Sequence, residues 1–245
     1  MKRSILKIIA AFLAVLIITG NSIMAESNPG EKKAIRVLLV GGGASHDFDR
    51  WYKQEDVQTL QKGGLASVEY TDNPTTILPK LNDIDVLYLS NNQPIADKAT
   101  REAIFAFADA GKGLVLAHPA LWYNWADWPE YNLKLVGGGS KGHDKYGPFE
   151  VTITRKHPVT GGVPSSFQLD DELYYFKPDP AGTPIEVLAT AKAESSDKVF
   201  PSVFIVKHPK AKIVGIALGH DAKSHTIGPY QTILRNAVEW AAGNK

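Results

Sequence analysis

Four short apolar runs decide most of what this chain can fold into. Residues 34–40 (AIRVLLV), 85–90 (DVLYLS), 114–117 (LVLA) and 213–218 (IVGIAL) hold few polar side chains. A strand with one wet face alternates apolar and polar residues, whereas a strand covered on both faces reads as a continuous apolar run. Such strands, separated by helices, form a parallel sheet between two helical layers. The separating helices are legible. Over residues 98–110, Thr100, Ala103, Ile104, Phe107 and Ala108 share one face, Asp97 stands at the N-cap and Gly111 follows the end. Near the C-terminus Pro229 opens a helix whose Tyr230, Ile233, Leu234, Ala237, Val238 and Ala241 form a stripe, stopped by Gly243. A weaker helix is expected over 51–61, before Gly63 and Gly64, and a second strand over 66–70.

The remainder reads differently. Residues 122–139 form a loop rich in Trp, Asn and Gly. Residues 149–154, 173–176 and 185–189 read as antiparallel strands, and 203–206 with 213–218 as a hairpin around His208-Pro209-Lys210. His157 and His208 each precede a proline, which marks extended or turn backbone and a structural role. One doubly wound α/β domain with an antiparallel extension, residues 34–243, is the expectation. Ahead of it, Lys2, Arg3 and Lys7 precede an apolar run over 8–19, a Gly20-Asn21 break and the small residue Ala25. The run is shorter than the ~20 residues of a spanning helix. Residues 1–25 are therefore expected to be a cleaved secretory signal and 26–33 a linker, giving a periplasmic or secreted protein with no stable membrane span.

Composition narrows the chemistry. The chain has no cysteine, which excludes disulfides, thiolate nucleophiles and Cys-ligated zinc and argues against a lipoprotein anchored through a cysteine after the apolar run. Removing the three basic residues of the leader leaves 24 basic against 26 acidic residues, a net charge of −2. No basic block is dense enough to follow a nucleic-acid backbone. Gly41-Gly42-Gly43 lacks the third glycine of a dinucleotide fingerprint, so no nucleotide cofactor is expected.

Open parallel sheets bind ligands beyond the carboxyl ends of their strands. His46 and Asp47 follow the first long run, Asn91 the next, His118 with Trp122 and Tyr123 the next, and His220 with Asp221 the last. The topology brings His46, His118 and His220 to one rim. Imidazoles suit proton transfer near neutrality or a divalent metal, zinc foremost. Glu172, in Asp170-Asp171-Glu172, is the acidic partner. His118, Glu172 and His220 are thus expected to do the chemistry. His46, Asp47, Asn91, Trp122, Tyr123 and Asp221 would meet a substrate, and His46, His118 and His220 would bind any metal. His143 is a further loop histidine.

The segments RVLLVGGGASHDF, GLVLAHPALW, GHDKYGPFEVTITRKHPVTGGVP, DELYYF and IALGHDAKSH, in this order, resemble the ThuA-like (trehalose-utilisation) family from Arg36 to Gly243. The resemblance implies a flavodoxin-like, class I glutamine amidotransferase-like fold. It carries family motif positions onto His46, His118, Glu172, His220 and Asp221, and it points to disaccharides and their 3-keto derivatives. Amidotransferases of that superfamily place a cysteine at the turn that here reads Ala117-His118-Pro119-Ala120, so glutaminase chemistry is excluded. Pro119, where glycine is commoner in the family, stiffens the turn. Two readings follow: an exported carbohydrate-processing hydrolase, lyase or isomerase using His/Glu acid–base or metal-assisted chemistry, or a non-catalytic sugar-binding module on the same fold. Either takes a small carbohydrate as partner, and the sequence allows a homo-oligomer.

Overall fold

A computed structural model describes residues 33–122, 125–193 and 197–244. The expected leader, residues 26–32 of the expected linker over 26–33, and Tyr123 lie outside the described residues. Strands β1 (Ile35–Val40), β2 (Ala66–Thr71), β3 (Val86–Leu89), β4 (Gly113–Ala117) and, far along the chain, β11 (Ile213–Ile216) make the parallel half of a sheet in the order β2–β1–β3–β4–β11. This is the flavodoxin-like strand order. Every residue of β3, β4 and β11 is buried. Successive side chains leave opposite faces of a strand, so Val37 and Leu39 enter one apolar layer and Leu38 and Val40 the other.

The helix Gly228–Ala241 covers the first layer with Ile233, Leu234, Ala237 and Val238. The helix Lys98–Asp109 covers the second with Ile104, Phe107 and Ala108. Asp97 caps the latter by accepting the Thr100 amide at 2.8 Å. Arg36, partly exposed in β1, forms a fork on Asp85, Nη2 to Oδ1 at 2.7 Å and Nε to Oδ2 at 3.1 Å.

Beyond β11 the sheet continues antiparallel through β10 (Val199–Val206), β9 (Ile185–Ala193), β6 (Gly147–Ile153) and β7 (Ser166–Asp171). Strands β5 (Gly138–His143) and β8 (Tyr174–Pro178) form a separate antiparallel pair. The two pre-proline histidines serve the turns: His157 Nδ1 accepts the Val159 amide, and His208 Nδ1 accepts the Ala211 amide.

The structure departs from expectation in two regions. The helix expected over 51–61 begins at Phe48, because Asp47 caps it by accepting the Arg50 amide at 3.1 Å. Its middle, Trp51–Asp56, winds as a π-helix that turns Trp51, Tyr52 and Asp56 inward. The described residues of the 122–139 stretch are no open loop. Trp125, Trp128 and Tyr131 are buried and pack on one another edge-on or tilted, with ring centroids 4.6–5.8 Å apart. The short helix Pro129–Tyr131 and the turn Asn132–Val136 then lead into β5. Trp125 and Trp128 are therefore part of the core. Glycine-rich β5 and polar β7 lack the β-branched pattern by which strands are read from sequence. Among the described residues no helix is long and apolar enough to cross a membrane.

Candidate functional site

Three strand ends supply the site. After β1 the chain turns through Gly43, whose φ of +131° and approach to Asn92 leave no room for a side chain. Ser45 follows in the left-handed region at φ +68°, a strained conformation for a residue other than glycine. That turn directs the His46 ring inward, with Nδ1 3.0 Å from the Ala44 carbonyl. β4 ends at Ala117, and the next residue, His118, is fully buried with Nδ1 2.9 Å from the Ala217 carbonyl. After β11, Gly219 turns at φ +112° and presents His220.

The three rings meet. Their centroids lie 5.4 Å (His46–His118), 4.6 Å (His46–His220) and 5.6 Å (His118–His220) apart. One nitrogen from each lies within 4.8 Å of the others. His46 Nε2, His118 Nε2 and His220 Nδ1 are buried and form no well-aligned hydrogen bond, although the Glu172 carboxylate lies beside the last two. A carbonyl beside Nδ1 of His46 and of His118 takes that nitrogen's proton and leaves an inward lone pair on Nε2. Metal-ligating histidines are held in this way. Nitrogens bonded to zinc at ~2.0–2.1 Å in a tetrahedron stand roughly 3.4 Å apart, so the widest pair of the triad would draw in by up to about 1.4 Å around an ion. Three imidazoles beside one carboxylate form a donor set suited to zinc, iron or nickel rather than magnesium.

Glu172, between β7 and β8, faces this triad. Its Oε2 is 3.3 Å from His220 Nδ1 and 3.9 Å from His118 Nε2, and its Oε1 is 3.6 Å from His143 Nδ1. Burial works against its ionisation, but His118, His220 and His143 outweigh it and hold the carboxyl below the usual range. Burial, reinforced by His118 and His220, lowers His46 to about 3, against the pull of the Ala44 carbonyl. His220 is lowered chiefly by burial and His118, with Glu172, Asp171 and Asp221 opposing. Both rings are therefore neutral at pH 7, the form that ligates metal. Tyr174 lies against His118 with centroids 3.7 Å apart, and burial, then Glu172, raise its phenol.

The other residues singled out from the sequence fall in different places. Asp47 borders a polar cavity of about 360 Å³ that opens beside His46 and is also lined by Gly42, Asp72 and Gln93. Asn91 is buried, with Nδ2 donating to the Gln93 carbonyl at 3.0 Å, and does not line that cavity. Trp122 is half-buried on the opposite flank, against His143 and Tyr174. Asp221 accepts from the Tyr146 hydroxyl and the Lys223 amide, each at 3.0 Å. Sequence reasoning passed over Asp171 and Tyr174 and gave His143 no role. The adjacency of Asp171 and Tyr174 to Glu172 in DDELY was the available signal.

A cysteine-free flavodoxin-like sheet with an imidazole at the strand-end turn defines a class I glutamine amidotransferase-like fold that lacks the cysteine of a glutaminase. Within that class, the family model described as ThuA, trehalose utilisation, matches residues 14–241, and the chain belongs to this family. No curated protein matches the sequence. Solved structures of similar fold include a ThuA-like protein from Parabacteroides merdae, with TM-score 0.77, 21% identity, and 87% of this chain and 91% of that chain covered. A ThuA-like protein from Bacteroides uniformis gives TM-score 0.70 and 22% identity over 88% of this chain and 95% of that one. A glutamine amidotransferase from Thermotoga maritima gives TM-score 0.53 and 13% identity over 85% and 98%. At these identities the likeness concerns the fold.

Proposed function

We propose that this protein is an exported carbohydrate-processing enzyme whose His46, His118 and His220 hold a divalent metal, zinc by donor chemistry, and whose Glu172 moves a proton. The single observation that carries the reading is the set of three buried imidazole nitrogens that face one another beside an ionised carboxylate. When bound, the metal supplies Lewis acidity to a carbonyl or acidifies a water. The chain supplies the rest. Glu172, charged near neutral pH, accepts a proton from a carbon next to a carbonyl or from water. Tyr174 packs on His118 and holds its ring plane. The polar cavity beside His46 offers the Asp47 and Asp72 carboxylates and the Gln93 amide to sugar hydroxyls.

The family's association with trehalose utilisation supports a disaccharide, and a 3-keto derivative supplies the carbonyl that this chemistry needs. The apolar run over 8–19 supports export. Zinc-loaded protein is incubated in D₂O with 3-keto and unoxidised disaccharides and followed by NMR and mass spectrometry. Deuterium uptake beside the carbonyl, or product formation, is expected with the keto substrate and is expected to be lost in Glu172→Gln. Sugar binding without exchange or turnover would identify a binding module and overturn the enzyme reading.

A further inference from the structure

Beneath the site lies a second polar cluster in which Tyr52, Asp56, Tyr88, Asp171, His225 and Tyr230 are all fully buried. Burying so many polar groups is costly unless each finds a partner. Here their bonds converge on a single peptide unit. The Asp171 carboxylate accepts three backbone amides: Gly219 at 2.8 Å, His220 at 3.0 Å and Glu172 at 2.8 Å. On the other side the Gly219 carbonyl accepts the Tyr52 hydroxyl and His225 Nε2, the latter at 3.1 Å. His225 Nδ1 in turn meets Asp56 Oδ1 at 2.7 Å, and Asp56 Oδ2 takes the hydroxyls of Tyr88 at 2.7 Å and Tyr230 at 3.4 Å. His225 faces an acceptor at each nitrogen, so it carries a proton on both and pairs with Asp56 as a cation.

These groups come from five separated places in the chain. Asp56 sits in the π-wound stretch and Tyr88 on β3. Asp171 ends β7, His225 lies in the short helix Ala222–His225, and Tyr230 in the C-terminal helix. No element of regular structure links Glu172 to His220, yet one carboxylate accepts the backbone amides of both. We infer that Asp171 is a positioning residue that sets Glu172 against His220, and that the Asp56–His225 pair anchors the same turn from behind. The inference rests on the metal reading of the histidine triad, because metal affinity is how the positioning is measured.

The π-helix then has a reason. Adding a residue to the turn rotates the following side chains, and functional sites recur at such places. Here Tyr52 and Asp56 fall on the same inward side as the Gly219 turn.

The test uses the full chain and cobalt(II) as the probe. Asp171→Asn keeps the shape but replaces an accepting oxygen with a donor, so one of the three amide bonds is lost. The expected result is a cooperative melt with cobalt affinity about 10- to 100-fold weaker and an altered d–d absorption band, since loss of an outer-shell support has this effect. His225→Gln is read the same way, and decides if Asp171→Asn fails to fold. A change of stability with no change in cobalt affinity or spectrum would overturn the inference while leaving the metal reading intact. Absence of cobalt binding by the unmutated protein would overturn the metal reading, and this inference with it.

Discussion

Removing the Asp56 carboxylate is the sharpest test of the buried cluster as a stabilising element. Asp56 and His225 are both fully buried, with Nδ1 and Oδ1 2.7 Å apart. Asp56→Ala leaves an imidazolium in the core without its anion and two tyrosine hydroxyls without their acceptor. Breaking a buried pair from one side costs about 3–5 kcal/mol. For a domain of this size each kcal/mol lowers Tm by ~2–4 °C, so the melt is expected to fall by roughly 6–20 °C. His225→Leu costs less, because Asp56 keeps the hydroxyls of Tyr88 and Tyr230. The double variant is expected to lose about 1–3 kcal/mol less than the sum of the singles, since neither charge is then stranded. Urea denaturation of all four proteins at pH 7 closes the cycle. Strict additivity would refute the pairing, as would an Asp56→Ala loss below about 1 kcal/mol.

Acid titration should weaken the fold in two windows. His46 is depressed to about 3, so stability falls as pH drops from 6.5 and the unfolded chain takes a proton that the fold refuses. Asp85 is held near 2, first by its hydrogen bond from Arg36, so its contribution is present above 3.8 and lost as pH falls through 2. At one-third side-chain exposure that contribution is about 1 kcal/mol after screening, and Asp85→Asn should flatten the second window in pH-dependent urea melts. On the alkaline side the sign reverses for His225. Its raised value, set by Asp56 and the Gly219 carbonyl against burial, makes a contribution complete below 6.5 and lost as pH rises through the raised value. Denaturant melts of wild type and His225→Leu should converge as pH rises. Gly43→Ala, with φ +131° and a new Cβ meeting Asn92 Oδ1, is expected to displace the His46 turn and cost about 1–3 kcal/mol. Metal titration and thermal melting of that variant check both effects.

How much of this was readable in advance depended on whether the signal was periodic. The parallel half was legible because β1, β3, β4 and β11 are covered on both faces, and the helix around Ile104 because its stripe and Asp97 cap are local features. β5 escaped because glycines gain their strand geometry from pairing with β8, not from propensity. The tryptophans of 122–139 gave no indication of which side faced the core, since an irregular segment has no period. The meeting of His46, His118 and His220 followed from the strand-end rule once the strand order was assumed. Asp171 was passed over despite its place beside Glu172, because a carboxylate that accepts backbone amides from distant turns looks in sequence much like a surface aspartate.

An ion held between the three imidazoles is the feature on which the proposed chemistry depends. Elemental analysis of the full chain, after zinc loading and removal of excess metal, should give one ion per molecule. His46→Ala, His118→Ala and His220→Ala should each reduce that to background while still melting cooperatively. Zinc content near zero in the unmutated protein, or full occupancy in all three variants, would contradict it.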